Sequence, residues 1–201
     1  MIIPTYEQAK QYEKDYTYIP VCGEILADDV TPILMLRKLA ALDGQYFLLE
    51  RVEGGNLGRY SFLGYHPKLS VSCKNGVVKV KENGMVRILP GKPKEALQSL
   101  LEQYRSPQIE GLPTFTGGLV GYFAYETIQY AEPKLHIKQS DVNDFELMMF
   151  DKLLAFDQVM HKLCIIVNAR TADGEAGYNK AVEEIDAFIE TLRITEPIPY
   201  E

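Results

Sequence analysis

Two Asn-Gly pairs set the folding pattern of the middle of the chain. Asn75-Gly76 and Asn83-Gly84 each separate short segments in which apolar and polar residues alternate. Asn-Gly favours the tight turn of a two-residue β-hairpin, because both turn positions need positive φ angles. Residues 69–73, 77–81 and 85–89 are therefore predicted to form an antiparallel meander. This pattern argues against a parallel β-α-β arrangement, since parallel strands need long crossover connections.

Helices are predicted around these strands from capping residues and apolar spacing. The four predicted helices begin near Thr5, Thr31-Pro32, Pro93 and Gly174. Thr5 and Gln8 fit a capping box, and this first helix is expected to end near Tyr16. The inward-facing residues expected on the second helix are Ile33, Leu36, Leu39 and Leu42. Those expected on the last helix are Tyr178, Ala181, Ile185, Phe188, Ile189 and Leu192. A helix followed by several antiparallel strands thus occurs twice, which predicts a coarse structural repeat closed by the last helix.

A further hairpin is predicted over residues 47–65, where two apolar runs flank a loop rich in Gly and Asn. Glu50 and Arg51 end its first strand, and Arg59, Tyr60 and Ser61 begin its second. If the strands pair, these polar groups meet near one loop. Such a cluster could hold a small zwitterion, with the acid binding an ammonium and the guanidinium a carboxylate. The alternative is an ordinary hairpin with a solvated, charged tip.

Two other stretches have open interpretations. Gly117, Gly118 and Gly121 interrupt an apolar strand. Glycines here would be explained by close approach of another backbone, by a sharp bend or by contact with a ligand. Their spacing fits neither a phosphate loop nor a dinucleotide fingerprint. Residues 147–157 form an apolar run that carries Asp151 and Asp157, which would share one face of a single strand. The two acids are either a catalytic pair or salt-linked surface groups.

Composition narrows the class of protein. The net charge of −7 argues against nucleic acid or an anionic membrane as the main partner. The three cysteines show no CxxC spacing, which indicates reduced thiols and no zinc site. Neither a signal peptide nor an apolar run of transmembrane length is recognised, so a cytoplasmic location is expected. No catalytic residue and no metal ligand is predicted in this chain.

Taken together, these motifs carry a resemblance to a known family. The Phe47-Leu48-Leu49-Glu50 strand, the Gly58–Gly64 segment and the glycine-rich strand from Pro113 to Tyr125 resemble the N-terminal region of anthranilate synthase component I, of the chorismate-utilising superfamily. Asp29-Val30-Thr31-Pro32 and the strands of residues 150–157 fit the same family. The resemblance runs from about Tyr18 to Leu192.

The resemblance implies an α+β fold of antiparallel, orthogonally packed β-sheets covered by helices. Family members form anthranilate from chorismate, with ammonia from a glutamine amidotransferase subunit, in tryptophan biosynthesis. Mg²⁺ and chorismate are implied to bind in a C-terminal domain for which we find no matching motif. Residues 1–201 would then be the N-terminal regulatory domain, with no cofactor and no lyase activity of its own, and residues 194–201 a linker to the C-terminal chorismate-binding domain.

By motif position, the resemblance assigns tryptophan binding to Leu49, Glu50 and Arg51 on the first strand of the hairpin and to Arg59, Tyr60 and Ser61 on the second. The family usually has Ser where this chain has Arg51. The larger, charged Arg51 would either fill the space for the indole or point outward. Neighbouring residues of a strand point to opposite faces, so only one of Glu50 and Arg51 can project directly into a site.

Three other interpretations remain open at this point. Aminodeoxychorismate synthase component I, of the folate pathway, uses the same fold. A stand-alone amino-acid-binding regulatory module and a purely structural half-domain would also fit a chain without catalytic motifs.

Overall fold

The chain forms two compact units, each built on one sheet. The computed structural model describes residues 1–28, 30–40, 44–50, 59–132, 134–135, 137 and 140–193. The larger unit contains Met1–His66, Arg105–Gly117 and the chain from Asp151 onward. The smaller unit contains Pro67–Tyr104 and Gly118–Phe150.

The strands and helices of the described residues are numbered in chain order. The strands are β1 (Ile2–Ile3), β2 (Tyr18–Leu26), β3 (Tyr46–Leu49), β4 (Tyr60–Tyr65), β5 (Leu69–Lys74), β6 (Val77–Glu82), β7 (Met85–Leu89), β8 (Gly118–Phe123), β9 (Phe145–Phe150), β10 (Lys152–Asp157) and β11 (Lys162–Arg170). The α-helices are α1 (Tyr6–Lys10), α2 (Pro32–Ala40), α3 (Pro93–Glu102), α4 (Ile128–Ala131) and α5 (Gly174–Arg193).

The sheet of the larger unit has the strand order β1-β2-β11-β10-β4-β3, and its neighbouring strands are antiparallel. Pro20 lies on β2 opposite Asn168 of β11. On the other side of β2, the short β1 pairs only with Cys22 and Gly23. β1 does not reach Pro20, so this side of β2 is an edge at that residue. A proline, which has no backbone N–H, is tolerated at such an edge, as the sequence predicts.

Helices α2 and α5 supply the core on one face of this sheet. Ala181 and Ile185 of α5 are buried, and the other inward-facing residues predicted on this helix pack around the same core. Helix α2 begins as predicted, because the backbone N–H of Leu34 donates to Thr31 Oγ1 at 3.1 Å. The prediction that Ile33 is buried is wrong, since Ile33 is 50% exposed and Met35 is buried instead. Two residues are about 200° of helical turn, so Ile33 and Met35 face opposite sides.

The sheet of the smaller unit has the order β7-β6-β5-β9-β8, and it contains the predicted meander. Asn75 and Gly76 have φ angles of 52° and 78°, and Asn83 and Gly84 have φ angles of 50° and 77°. Positive φ at both positions is what a type I′ turn requires. Helix α3 contributes Ala96 and Leu100 to the core of this sheet. The α+β class and the antiparallel sheets are confirmed, whereas the orthogonal packing stays a prediction.

Two sequence predictions need correction. Helix α1 has the predicted capping box but ends at Lys10, not near Tyr16, because the chain changes to i→i−3 bonds such as Tyr12 N–H to Ala9 O. Residues 147–157 do not form one strand. They are divided between β9 and β10, which belong to different sheets, and Asp151 lies between the two strands. Asp151 and Asp157 therefore do not share one face of a strand.

Close backbone packing accounts for one of the three glycines in the apolar strand. Gly121 of β8 lies opposite Leu147 of β9. A Cβ atom at position 121 would collide with the carbonyl oxygen of Glu146 and lie 2.8 Å from the Cα atom of Leu147. Glycine is needed here because the neighbouring strand leaves no room for a side chain.

Candidate functional site

The predicted hairpin is present, and it places most of the candidate residues at one end of the larger sheet. β3 and β4 pair with Leu49 opposite Phe62. Glu50 directly follows β3, and Arg59 directly precedes β4. Arg51 lies outside the described residues, as do the rest of residues 51–58.

The alternation of strand side chains divides the candidates between two faces. Leu49 shares a face with Phe62 and Tyr60, because directly opposed residues point the same way. Ser61 points to the other face, where it is fully buried and accepts a 3.4 Å hydrogen bond from Gln158 Nε2. Glu50 is exposed, and so is about half of Leu49. The described candidates are close along the chain, but Ser61 does not face the same side as Tyr60.

Arg59 is anchored by an acid from a distant strand. Its Nε and Nη2 atoms donate to Asp157 Oδ2 at 2.9 Å and 2.5 Å. The Arg59 guanidinium carbon lies 5.1 Å from the ring centroid of Tyr60, within the range of a cation–π contact. The hydrogen bond to Asp157 raises the pKa of Arg59, which remains a cation. The salt link predicted as one interpretation of Asp157 is present, but the residue is buried and is not a surface group.

Asp157 is itself held by the turn between β10 and β11. Its Oδ1 atom accepts the backbone N–H groups of Val159 and Met160, each at 3.0 Å. Burial acts to raise the pKa of Asp157, but the hydrogen bonds from Arg59 and these two N–H groups outweigh it and lower the pKa. The carboxylate is therefore ionised and fixed in orientation.

Aromatic rings cover the same face of the sheet beside Tyr60. The ring of Phe115 lies edge-on to Phe62, with centroids 5.5 Å apart, and it lies 6.4 Å from Phe47. Tyr60 and Phe62 have centroids 5.9 Å apart. Burial, followed by the charge of Asp157, raises the pKa of Tyr60, so its hydroxyl stays protonated at neutral pH. This end of the sheet combines a fixed cation, a phenol and apolar rings.

The sequence singles out Asp157 as a candidate acid but carries no sign that it lies beside Arg59. The two residues are 98 positions apart, and only the pairing of β4 with β10 brings them together, with Asp157 opposite Tyr60. No local motif signals this pairing.

A separate cavity of about 270 Å³ lies between α5 and the sheet of the larger unit. Lys152 and Glu184 form an ion pair at its wall, and the Tyr65 ring stacks on Phe188 with centroids 5.6 Å apart. Burial, followed by the charges of Glu184 and Asp151, raises the pKa of Tyr65 to about 12. Of the predicted tryptophan-binding residues that the structure describes, none lines this cavity.

Two classes of feature are missing from the part of the chain that the structure describes. Among these residues, no group of three or more His, Cys, Asp or Glu side chains is placed to hold a metal ion. We assign no Mg²⁺ ligand among these residues. None of the described helices combines the length and the apolar character needed to span a membrane.

Sequence comparison finds relatives that share one name. The chain is 35% identical to anthranilate synthase component 1 of Acetivibrio thermocellus, over 92% of this chain and 38% of the relative. It is 33% identical to the protein of the same name from Synechocystis sp., over 100% of this chain and 41% of the relative. The protein of that name from Acinetobacter calcoaceticus is 34% identical, over 94% of this chain and 39% of the relative. No family model matches the chain.

The fold is also found in a solved structure. The crystal structure of anthranilate synthase component I from Streptococcus pneumoniae TIGR4 matches with a TM-score of 0.55 and 24% identity, over 86% of this chain and 37% of that chain. The chain spans about two fifths of the length of the curated relatives it matches. The names of these relatives do not favour the aminodeoxychorismate synthase alternative. Over nearly its whole length, the chain is homologous to part of proteins named anthranilate synthase component 1.

Proposed function

We propose that this chain is part of an anthranilate synthase, which forms anthranilate from chorismate for tryptophan biosynthesis. The observation that carries the proposal is the identity of 33–35% to proteins of that name over 92–100% of the chain. A glutamine amidotransferase subunit would supply ammonia, and the whole enzyme would act in the cytoplasm. These features come from the family resemblance.

The contribution of this chain would be structural and regulatory, because no catalytic motif is found in it. We assign chorismate and Mg²⁺ to a C-terminal chorismate-binding domain of the whole protein. The 201-residue chain alone should therefore form no anthranilate when chorismate, ammonium and Mg²⁺ are supplied. Fluorescence detection of anthranilate tests this, with the full-length protein as the positive control. Product formed by the isolated chain would refute it.

The regulatory contribution would be a tryptophan feedback site at the hairpin of β3 and β4. Leu49, Glu50 and Arg59 are accessible there, beside the half-buried Tyr60. An exposed acid can bind an ammonium, a guanidinium can bind a carboxylate, and apolar rings can pack against an indole. Ser61 points to the opposite face and would not contact the ligand. Its role would be to hold the backbone of β4 in place.

Binding of tryptophan to the full-length protein tests the feedback site. Calorimetric titration should show saturable heat for tryptophan, and Glu50→Gln should weaken the binding. Arg51→Ser restores the residue usual in the family at this position. If Arg51 occupies the indole space, this variant should bind tryptophan more tightly than the wild type. The absence of any binding to both wild type and Arg51→Ser would refute a tryptophan site.

A further inference from the structure

The acid that anchors Arg59 has a specific role if the hairpin is an effector site. We propose that Asp157 is a positioning residue that aims the outer N–H groups of Arg59 at the carboxylate of a bound amino acid. This inference rests on the proposed feedback function, and it adds to the site a residue from β10 that the motif positions do not include.

The first step is that Asp157 cannot easily reorient. The residue is only 5% exposed. Its Oδ1 atom is occupied by two backbone N–H groups of the β10–β11 turn, those of Val159 and Met160. The next residue, Gln158, donates its backbone N–H to the carbonyl oxygen of Arg59 at 3.0 Å. One turn thus fixes both the carboxylate and the backbone of the arginine that it binds.

The second step is that Asp157 binds only some of the N–H donors of the Arg59 guanidinium. An arginine side chain has five N–H donors in a rigid plane. Asp157 Oδ2 accepts one from Nε and one from Nη2, so about three of the five donors remain on the outer side. The Arg59 side chain is 49% exposed, whereas that of Asp157 is 4% exposed. The inner edge of the guanidinium is therefore held by the protein and the outer edge is open to solvent.

The third step is that Tyr60 fixes the plane of the same group. Tyr60 lies opposite Asp157 in the pairing of β4 with β10, and its ring centroid is 5.1 Å from the Arg59 guanidinium carbon. A guanidinium held at one edge and over one ring presents its remaining donors in a fixed direction. A planar pair of donors matches the two oxygens of a carboxylate.

The ligand that fits this arrangement is a free amino acid with a large apolar side chain. Its carboxylate would meet Arg59, and its side chain would meet the face that carries Tyr60, Phe62 and the half-exposed Leu49. Asp157 would not touch the ligand. Its effect would pass through Arg59, so it should act on recognition of the carboxylate and not on recognition of the indole.

A pair of ligands separates these effects. Tryptophan and tryptamine share the indole and the amine, but tryptamine lacks the carboxylate. In calorimetric titrations of the full-length protein, the wild type should bind tryptophan at least tenfold more tightly than tryptamine. Asp157→Asn should weaken tryptophan binding about tenfold and leave tryptamine binding unchanged. The matched control is Glu24→Gln, because Glu24 forms the neighbouring ion pair with Lys162 at 2.9 Å in the same sheet, and it should change neither affinity.

The outcomes distinguish the two proposals. If neither the wild type nor Arg51→Ser binds tryptophan, the feedback function fails and this inference fails with it; if only Arg51→Ser binds it, the Asp157→Asn comparison is made in that variant. If the wild type binds tryptophan and Asp157→Asn changes both affinities equally, or neither, only the role of Asp157 is overturned. Thermal unfolding of each variant reports whether it folds. Should Asp157→Asn not fold, Asp157→Glu keeps the charge but displaces the carboxylate, and it should show the same selective loss for tryptophan.

Discussion

The hydroxyl of Tyr130 donates a 2.6 Å hydrogen bond to Asp144 Oδ2 in the smaller unit. The same oxygen accepts the backbone N–H of Gly76 at 3.2 Å and the thiol of Cys73 at 3.4 Å. Asp144 therefore joins helix α4, the Asn75-Gly76 turn and the segment before β9. One buried carboxylate thus accepts hydrogen bonds from three separate parts of the smaller unit.

Removing the Tyr130 hydroxyl and removing the Asp144 carboxylate should lower the free energy of unfolding by different amounts. Tyr130→Phe removes one hydrogen bond and should lower the free energy of unfolding by about 1 kcal/mol. Asp144→Ala leaves three donors without their acceptor and should cost about 2–3 kcal/mol. Urea unfolding followed by circular dichroism measures both. Tyr125→Phe is the matched control, because Tyr125 is 78% exposed and should be neutral. Equal losses for the two variants would contradict this account.

Stability should fall in acid through two carboxylates. Burial acts to raise the pKa of both Asp144 and Asp157, but their hydrogen bonds outweigh it, so each pKa lies below the ordinary value of 3.8. The folded state then binds fewer protons than the unfolded state in this range. Their contribution to stability is complete above about pH 4 and is lost as the pH falls through the lowered values.

Urea unfolding at pH 7 and at pH 3 measures this dependence. The Asp144→Asn and Asp157→Asn double variant should be less stable at pH 7 and should lose less stability between the two pH values than the wild type. A wild type whose stability is the same at both pH values would show that the two carboxylates are not stabilised in the folded state.

Gly121 should not tolerate a side chain. In Gly121→Ala the new Cβ atom meets the backbone of β9, which cannot move without breaking the pairing of β8 with β9. We expect a loss of about 2 kcal/mol or more in the free energy of unfolding. Gly44→Ala is the control, because a Cβ atom there has nothing within 4 Å. Similar melting temperatures for the two variants would argue against close packing at Gly121.

Two isoleucines test the faces of the helices in the larger unit. Ile185 of α5 is fully buried, and Ile185→Ala should cost about 2–5 kcal/mol. Ile33 of α2 is 50% exposed, and Ile33→Ala should cost less than about 1 kcal/mol. The two variants remove the same atoms from helices of one unit. The difference between their denaturant midpoints therefore reports the difference in burial between the two side chains. A larger loss at Ile33 would reverse our assignment of the α2 face.

The three cysteines should resist thiol reagents in the folded chain. Cys22, Cys73 and Cys164 are buried. Burial, followed by the hydrogen bond to Asp144, raises the pKa of Cys73 to about 11, so little of the reactive thiolate exists at pH 8. A disulfide reagent that releases a coloured thiol should react slowly with native protein. In urea it should react at once with all three thiols. Rapid reaction under native conditions would show that one cysteine is accessible.

Local structure was predictable where short-range chemistry determines it. The Asn-Gly turns need positive φ angles, and Thr31 caps a helix three residues away, so neighbouring residues carry the whole signal. The element order of the coarse repeat is present, with strands after α2 and again after α3 and with α5 last. The two halves do not form separate sheets, because each sheet takes strands from both. The run of residues 147–157 is apolar except for Asp151, Lys152 and Asp157, and the polar pair Asp151-Lys152 lies where the chain changes sheet.

The candidate site was predictable to a similar extent. The sequence motifs predict both strands of the hairpin, and these strands pair in the structure as β3 and β4. The motifs alone do not show that Ser61 faces away from Tyr60. The alternation of side chains along a strand does predict it, because the two residues are neighbours. The contact between Arg59 and Asp157 depends on pairing between distant strands, which no short motif encodes.

The order of strands along the chain has a consequence for synthesis. All five strands of the smaller sheet have been made once translation passes Phe150. In the larger sheet, β10 and β11 lie in the middle but are translated last. On the ribosome, β2 is therefore made long before its partner β11, and the β3–β4 pair is made before β10, the strand with which β4 pairs. The surface that carries Arg59 is completed only when Asp157 has left the ribosome, after every strand of the smaller sheet has been made.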